Sequence, residues 1–117
     1  MEVLTHHIYE YKKGLRNLVL HTTDAMLEDV VISRLEKHEI PYIIEKVGEK
    51  SINIFFGNSI CIDVLKYIKT SDLSTLSDEE DFMLGIMLGY DRLKQCERYV
   101  GRKNGKLNLT LRQELVG

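Results

Sequence analysis

"YIIEKV" (Tyr42–Val47) and "SINIFF" (Ser51–Phe56), joined by "GEK" (Gly48–Lys50), are the segments on which the arrangement of this chain turns. Both runs are rich in Ile, Val, Tyr and Phe, which suit a pleated, half-buried surface. A three-residue loop with Gly between two such runs predicts an antiparallel hairpin. In the second run Ile52, Ile54 and Phe56 alternate with Ser51, Asn53 and Phe55. The face carrying Ile52, Ile54 and Phe56 is therefore expected to meet the core.

Upstream of the hairpin, "RNLVLHT" (Arg16–Thr22) reads as a further strand, with Leu18 and Leu20 on one face and Val19 and His21 on the other. Between that strand and the hairpin, Leu27, Val30, Val31 and Leu35 recur at helical spacing. Thr23 or Asp24 supplies a cap for this helix, and Pro41 stops it. Thr5 to Lys13 forms a short helical lead-in that ends at Gly14. Downstream, "GNS" (Gly57–Ser59) breaks the strand, and Asn58 or Ser59 caps a helix over "ICIDVLKYIK".

A long helix then opens at Ser77, which forms a capping box with Glu80. Acids crowd its first turn at Asp78, Glu79, Glu80 and Asp81. Bases gather toward its far end at Lys94, Arg98, Arg102 and Lys103, and Gly101 is a terminating residue. Leu107, Leu109 and Leu111 alternate beyond it, as a short strand or a docked tail. The order gives one α+β domain over residues 1–117. Its expected form is two layers, with about three strands (one strand plus the hairpin) covered by four to five helices, the last of them long.

At 117 residues with 44% hydrophobic and 29% charged side chains, the composition is that of a soluble globular protein. A net charge of −2 sets up no field that calls for nucleic acid or an anionic membrane. No apolar run reaches the roughly 20 residues a bilayer requires. "MEVLTHHIYEYKKG" has no apolar centre and does not read as a signal peptide. Cys61 and Cys96 match no metal spacing; they read as reduced thiols of a cytoplasmic protein, buried as small hydrophobes. No cofactor is implied.

"DFMLGIMLGYDRLKQCERYV" (Asp81–Val100) raises the first functional question. From Phe82 to Leu88 it has no polar side chain, and Gly85 and Gly89 lie four apart on one side of a helix. Each glycine costs about 0.8–1.0 kcal/mol of helix propensity relative to Ala, which close approach of another backbone would offset. That approach is read as a homodimer interface at Phe82, Gly85, Ile86, Gly89 and Leu93. Packing on the chain's own sheet or the Ile60–Ile68 helix, or a ligand pocket, are the other readings. Asp91 and Arg92 are expected to form ion pairs across the interface.

His6, His7 and Glu10 share helix turns, and His21 on the first strand is a possible third imidazole; together they form a candidate ligand or metal site. Hydrogen-bonded structural histidines are the alternative. Lys12, Lys13 and Arg16 form one basic patch, and Arg102, Lys103 and Lys106 another. With no aromatic platform beside them, they do not indicate nucleic acid. "FFGNS" leads into a helix like a turn that receives an anion, but without the glycines of a phosphate-binding loop. No nucleophilic triad or zinc-protease signature is present.

"HHIYEYKKGLRNLVLHT", "INIFFGN" and "LGYDRLKQCERYV" together resemble a small bacterial family catalogued as domain of unknown function 2023, over His6 to Val100. The resemblance implies three strands with about five helices, a homodimer, and an association with flavodoxin-type electron transfer. It assigns no catalytic residue. The expectation is thus a cytosolic homodimeric interaction or accessory module. The alternative is a small-ligand- or metal-binding domain, or an enzyme, with its site around His6, His7, Glu10 and His21.

Overall fold

A computed structural model describes the backbone of residues 1–116 and the side chains of residues 1–106. Its helices are α1 (Glu2–Lys12), α2 (Glu28–Lys37), α3 (Ser59–Leu65), α4 (Asp78–Met87) and α5 (Arg92–Val116); its strands are β1 (Leu18–Asp24), β2 (Tyr42–Val47) and β3 (Ser51–Gly57). The hairpin forms as its sequence predicts, with Val47 opposite Ser51. The sheet order is β1-β3-β2, and β3 is antiparallel to both neighbours. β1 and β2 therefore run parallel to each other on either side of it, linked by α2.

The α+β class stands, while the layers number three and not the expected two. Val19, Ile52, Ile54 and Phe56 meet Leu4 and Ile8 of α1 and Val31 and Leu35 of α2 on one face. Leu18 and Phe55 meet Ile62 and Leu65 of α3, Leu84 of α4 and Leu88 at its C-terminal cap on the other. The adjacent Phe55 and Phe56 point to opposite faces of a strand, and both are fully buried. Asn53, also buried, is satisfied by Thr22 directly across the sheet, whose hydroxyl donates at 2.6 Å. In α2 the buried residues are Val31 and Leu35, while Val30 faces outward.

Gly57 closes β3 where three segments converge. Its amide donates to the Pro41 carbonyl at 3.1 Å, and the next amide, Asn58, donates to the Asn17 carbonyl at 2.8 Å. Its φ is +150°, and a Cβ there would collide with the Asn17 carbonyl.

The long helix expected from Ser77 onward is two helices. The capping box forms as expected, with Glu80 N–H donating to Ser77 Oγ at 3.1 Å and Ser77 N–H to Glu80 Oε1 at 3.0 Å. After Met87, Gly89 adopts φ +79°, its amide donates to Ile86, and the Tyr90 amide donates to Gly85. This is a Schellman stop, which needs glycine for its left-handed residue. Asp91 then starts α5, its carboxylate accepting from the Lys94 amide at 2.9 Å. Asp91 is thus the N-cap of α5 within its own chain. Gly101 lies inside α5 and terminates nothing. The backbone at Leu107, Leu109 and Leu111 is helical, against the short-strand alternative; their side chains, on which the docked-tail alternative depends, lie outside the described residues.

The two glycines thus have separate causes. Gly85 sits under the side chain of Gln95, whose amide end occupies the space a Cβ would take. Gly89 turns the chain, with open space around it. Gly85→Ala is expected to displace a movable side chain and leave thermal stability within about 0.5 kcal/mol of the parent. Gly89→Ala is expected to cost about 1 kcal/mol through its positive φ. Denaturant titration of the pair checks this; equal losses would contradict the assignment.

Candidate functional site

α4 and α5 form an antiparallel pair held on one side of α5 by charge. Arg98 binds Asp81 through two hydrogen bonds at 2.8 and 3.0 Å. Arg102 lies 2.8 Å from Asp78 and 2.9 Å from Asp81, and Lys103 lies 2.7 Å from Glu79. Lys106 donates to Asp78 at 2.6 Å. Tyr99 adds a hydroxyl bond to Glu79 at 2.9 Å and a ring contact with Phe82 at 5.4 Å. Gln95, Arg98, Tyr99, Arg102, Lys103 and Lys106 recur three and four apart, so they form one stripe of the helix.

Asp78, one of the acids that crowd the first turn, is 2% exposed beneath these cations. A buried carboxylate is tolerable only with such partners. Lys106, bonded to its carboxylate, holds Asp78 below the ordinary carboxylate range; Arg98 does so for Asp81 and Lys103 for Glu79. Acids with lowered pKa stabilise the fold fully above their unfolded values of 3.8 to 4.5, and that stability is lost as pH falls through the folded values. The contribution of these acids is therefore expected to hold level from neutral pH to about pH 5 and to drop below about pH 4, while any earlier loss of melting temperature, beginning below about pH 6.5, belongs to His7 and His21, whose pKa values burial lowers. At neutral pH, about 1 M NaCl should loosen α5 by screening the same pairs. Circular dichroism reads both effects; a melting temperature unchanged down to about pH 2 would contradict the clasp.

An adjoining edge of α5, about 120° round from that stripe, carries three exposed apolar residues. Leu93 is 69% exposed, Val100 53%, and Cys96 is also exposed, which corrects the expectation that both cysteines are buried; only Cys61 packs into a core cluster. Of the expected interface residues, Phe82 and Ile86 are half-buried, Gly85 is buried under Gln95, Gly89 is exposed in the turn, and Leu93 is the most open. Met83 of α4, 45% exposed, and Tyr90 in the turn are further open apolar residues that the sequence reading did not single out.

The histidine cluster divides in two. His6 is exposed on α1, its Nε2 3.6 Å from Glu10 Oε1. His7 points instead to β1, where its ring meets that of His21 edge to face at 5.4 Å between centroids. His21 is 8% exposed, and His7 Nδ1 is buried without a hydrogen-bond partner. Burial lowers both pKa values, His7 being lowered further by Arg16 and His21 by His7. The two rings border a cavity of about 350 Å³ with Met1, Val3, Leu4, Leu20 and Leu27 around it and Thr22 and Thr23 at its side. Among the described residues no three His, Cys, Asp or Glu side chains converge at metal distance.

The basic residues near Gly14 do not form a shared patch. Lys12 meets His38 at 3.0 Å, Lys13 lies over the Tyr9 ring, and Arg16 donates to the Leu88 carbonyl at 3.3 Å. At "FFGNS", the Asn58 side chain accepts from the Ile60 amide at 2.9 Å, an ordinary cap. Among the described residues no helix is long and apolar enough to cross a membrane.

A family model described as Protein of unknown function (DUF2023) matches residues 2–102 of the chain. No curated protein matches it.

Proposed function

Since the chain belongs to the DUF2023 family of proteins of unknown function, its own geometry has to supply the reading, and we propose that it is a cytosolic homodimeric interaction module that works by binding. The observation that carries this is the orientation of α5. A surface helix normally turns its apolar stripe inward and its charges to water. Here the charged stripe faces α4, while Leu93, Cys96 and Val100 face out. A helix of 25 residues is about 37 Å long, enough to present such an edge to a second copy of itself.

The interface expected at Phe82, Gly85, Ile86, Gly89 and Leu93 is thereby moved outward. Leu93 is retained at its centre, Cys96 and Val100 extend it, and Phe82 and Ile86 support the α4 side. The glycines no longer argue for it. A flavodoxin-type electron carrier, the partner class that the resemblance implies, would meet the assembled dimer as an accessory contact.

Light scattering at micromolar concentration tests the reading, with a dimer mass expected. Mild oxidation should then link copies through Cys96, since Cys61 packs into a core cluster. A monomer across that range would overturn the proposal.

A further inference from the structure

A cavity of about 380 Å³ lies where β1, α4 and α5 come together. Leu20 of β1, Leu73 and Leu76 ahead of α4, and Leu84 and Leu88 on the α4 side give it an apolar floor. Its polar lining is Tyr90 of the turn, Asp81 of α4, and Gln95 and Arg98 of α5. Tyr90 and Arg98 are exposed, which sets them at the mouth. Leu93, Cys96 and Val100 are not part of this lining, so the cavity is separate from the outer edge of α5.

Gln95 shows that the cavity is built for an occupant. Its half-buried side chain carries the amide into the space where a Cβ on residue 85 would stand, and only glycine leaves that space open. Glycine inside a helix costs propensity relative to Ala, so α4 gives up stability to seat this amide. Yet among the described residues the Gln95 amide has no hydrogen-bond partner, and the Tyr90 hydroxyl has none either. A helix glycine kept for an amide that binds nothing in its own chain, above a leucine floor, points to a ligand that the amide meets.

We propose that this cavity binds a small aliphatic monocarboxylate, with its chain on the leucines and its carboxylate held by Arg98 and the Gln95 amide. Arg98 spends Nε and Nη2 on Asp81, which leaves both N–H groups of Nη1 for a second acceptor. Asp81 is also held by Arg102 at 2.9 Å, so its charge is met from two sides and the mouth still accepts an anion. The Tyr90 hydroxyl supplies a third donor. A phosphate head, with more charge and more acceptor oxygens, would call for more free donors than these. Ligand pockets run from about 300 to 1,000 Å³, and this one stands near the lower end, which suits a chain of about eight carbons and not a nucleotide.

The test is titration of the folded chain with octanoate, followed by proton–nitrogen correlation NMR. The Gln95 side-chain amide and the Gly85 backbone amide should shift together, with a Kd below about 1 mM for a ligand of this size. Affinity should rise about fourfold per methylene from butanoate to octanoate. The alcohol n-octanol, with the same tail and no charge, should bind about tenfold more weakly. Gln95→Glu keeps the shape but sets an anion against Arg98, and Gly85→Ala drives the amide end out over the floor. Each is expected to weaken octanoate roughly tenfold or more, with circular dichroism unchanged. Leu93→Asp with Val100→Asp should leave the affinity within about twofold, so this site and the dimer reading stand or fall separately. No saturable shift, equal binding of n-octanol, full affinity in Gln95→Glu or Gly85→Ala, or shifts confined to the outer edge of α5 would each overturn the proposal.

Discussion

Gly57→Ala is expected to lower stability by about 3 kcal/mol or more, enough to leave a small domain partly unfolded at growth temperature. Two costs combine. The backbone stands at φ +150°, where L side chains are rarely found, and the new Cβ would overlap the Asn17 carbonyl. A movable side chain would swing away, but this neighbour is main chain and is fixed by the Asn58 amide at 2.8 Å. Relief therefore requires parting the end of β3 from the segment entering β1, which also disturbs the Gly57–Pro41 bond on the other side. Urea unfolding of the variant against the parent measures the loss. A change below about 0.5 kcal/mol would show that this junction yields easily, against the geometry described.

Leu93→Asp with Val100→Asp is expected to convert the proposed dimer to monomer, weakening association roughly 100-fold or more. Both positions are open in the single chain, at 69% and 53% exposure, and both lie away from the stripe that grips α4. The subunit fold should therefore survive with changes near 0.5 kcal/mol, as surface substitutions usually do. In the dimer the same carboxylates would face apolar neighbours with no cation at hand. Light scattering together with circular dichroism separates the two effects. A folded variant that keeps the dimer mass would place the contact somewhere other than the outer edge of α5.

The parts of the fold that were legible in sequence are those set by near neighbours. The hairpin over Tyr42–Phe56, the Asn58 cap and the reciprocal Ser77–Glu80 box each need only a few adjacent residues, and each is present. What was misread depended on choosing between local signals or on distant contacts. "LGYD" carries a C-terminal glycine followed by a capping acid, yet the apolar run before it and the amphipathic run after it read as one helix. Phe55 beside Phe56 already indicates two buried faces, but alternation with Ile52 and Ile54 suggested one. The burial of Asp78 was not legible because its partners lie more than 20 residues away in α5. The candidate site was half legible: His7 and His21 were named, but only the seating of α1 on β1 shows that they pair while His6 and Glu10 stand apart.

The central strand carries a further consequence for how the molecule comes apart. Phe55 belongs to one hydrophobic cluster and Phe56 to the other, so neither cluster can melt while β3 stays in place for its neighbour. The sheet with its four nearer helices should open as a single cooperative unit, and the amides of β3 should be the last to exchange with solvent. α5, whose described contacts with α4 come from side chains on one stripe, should open at lower cost than the sheet and its four nearer helices.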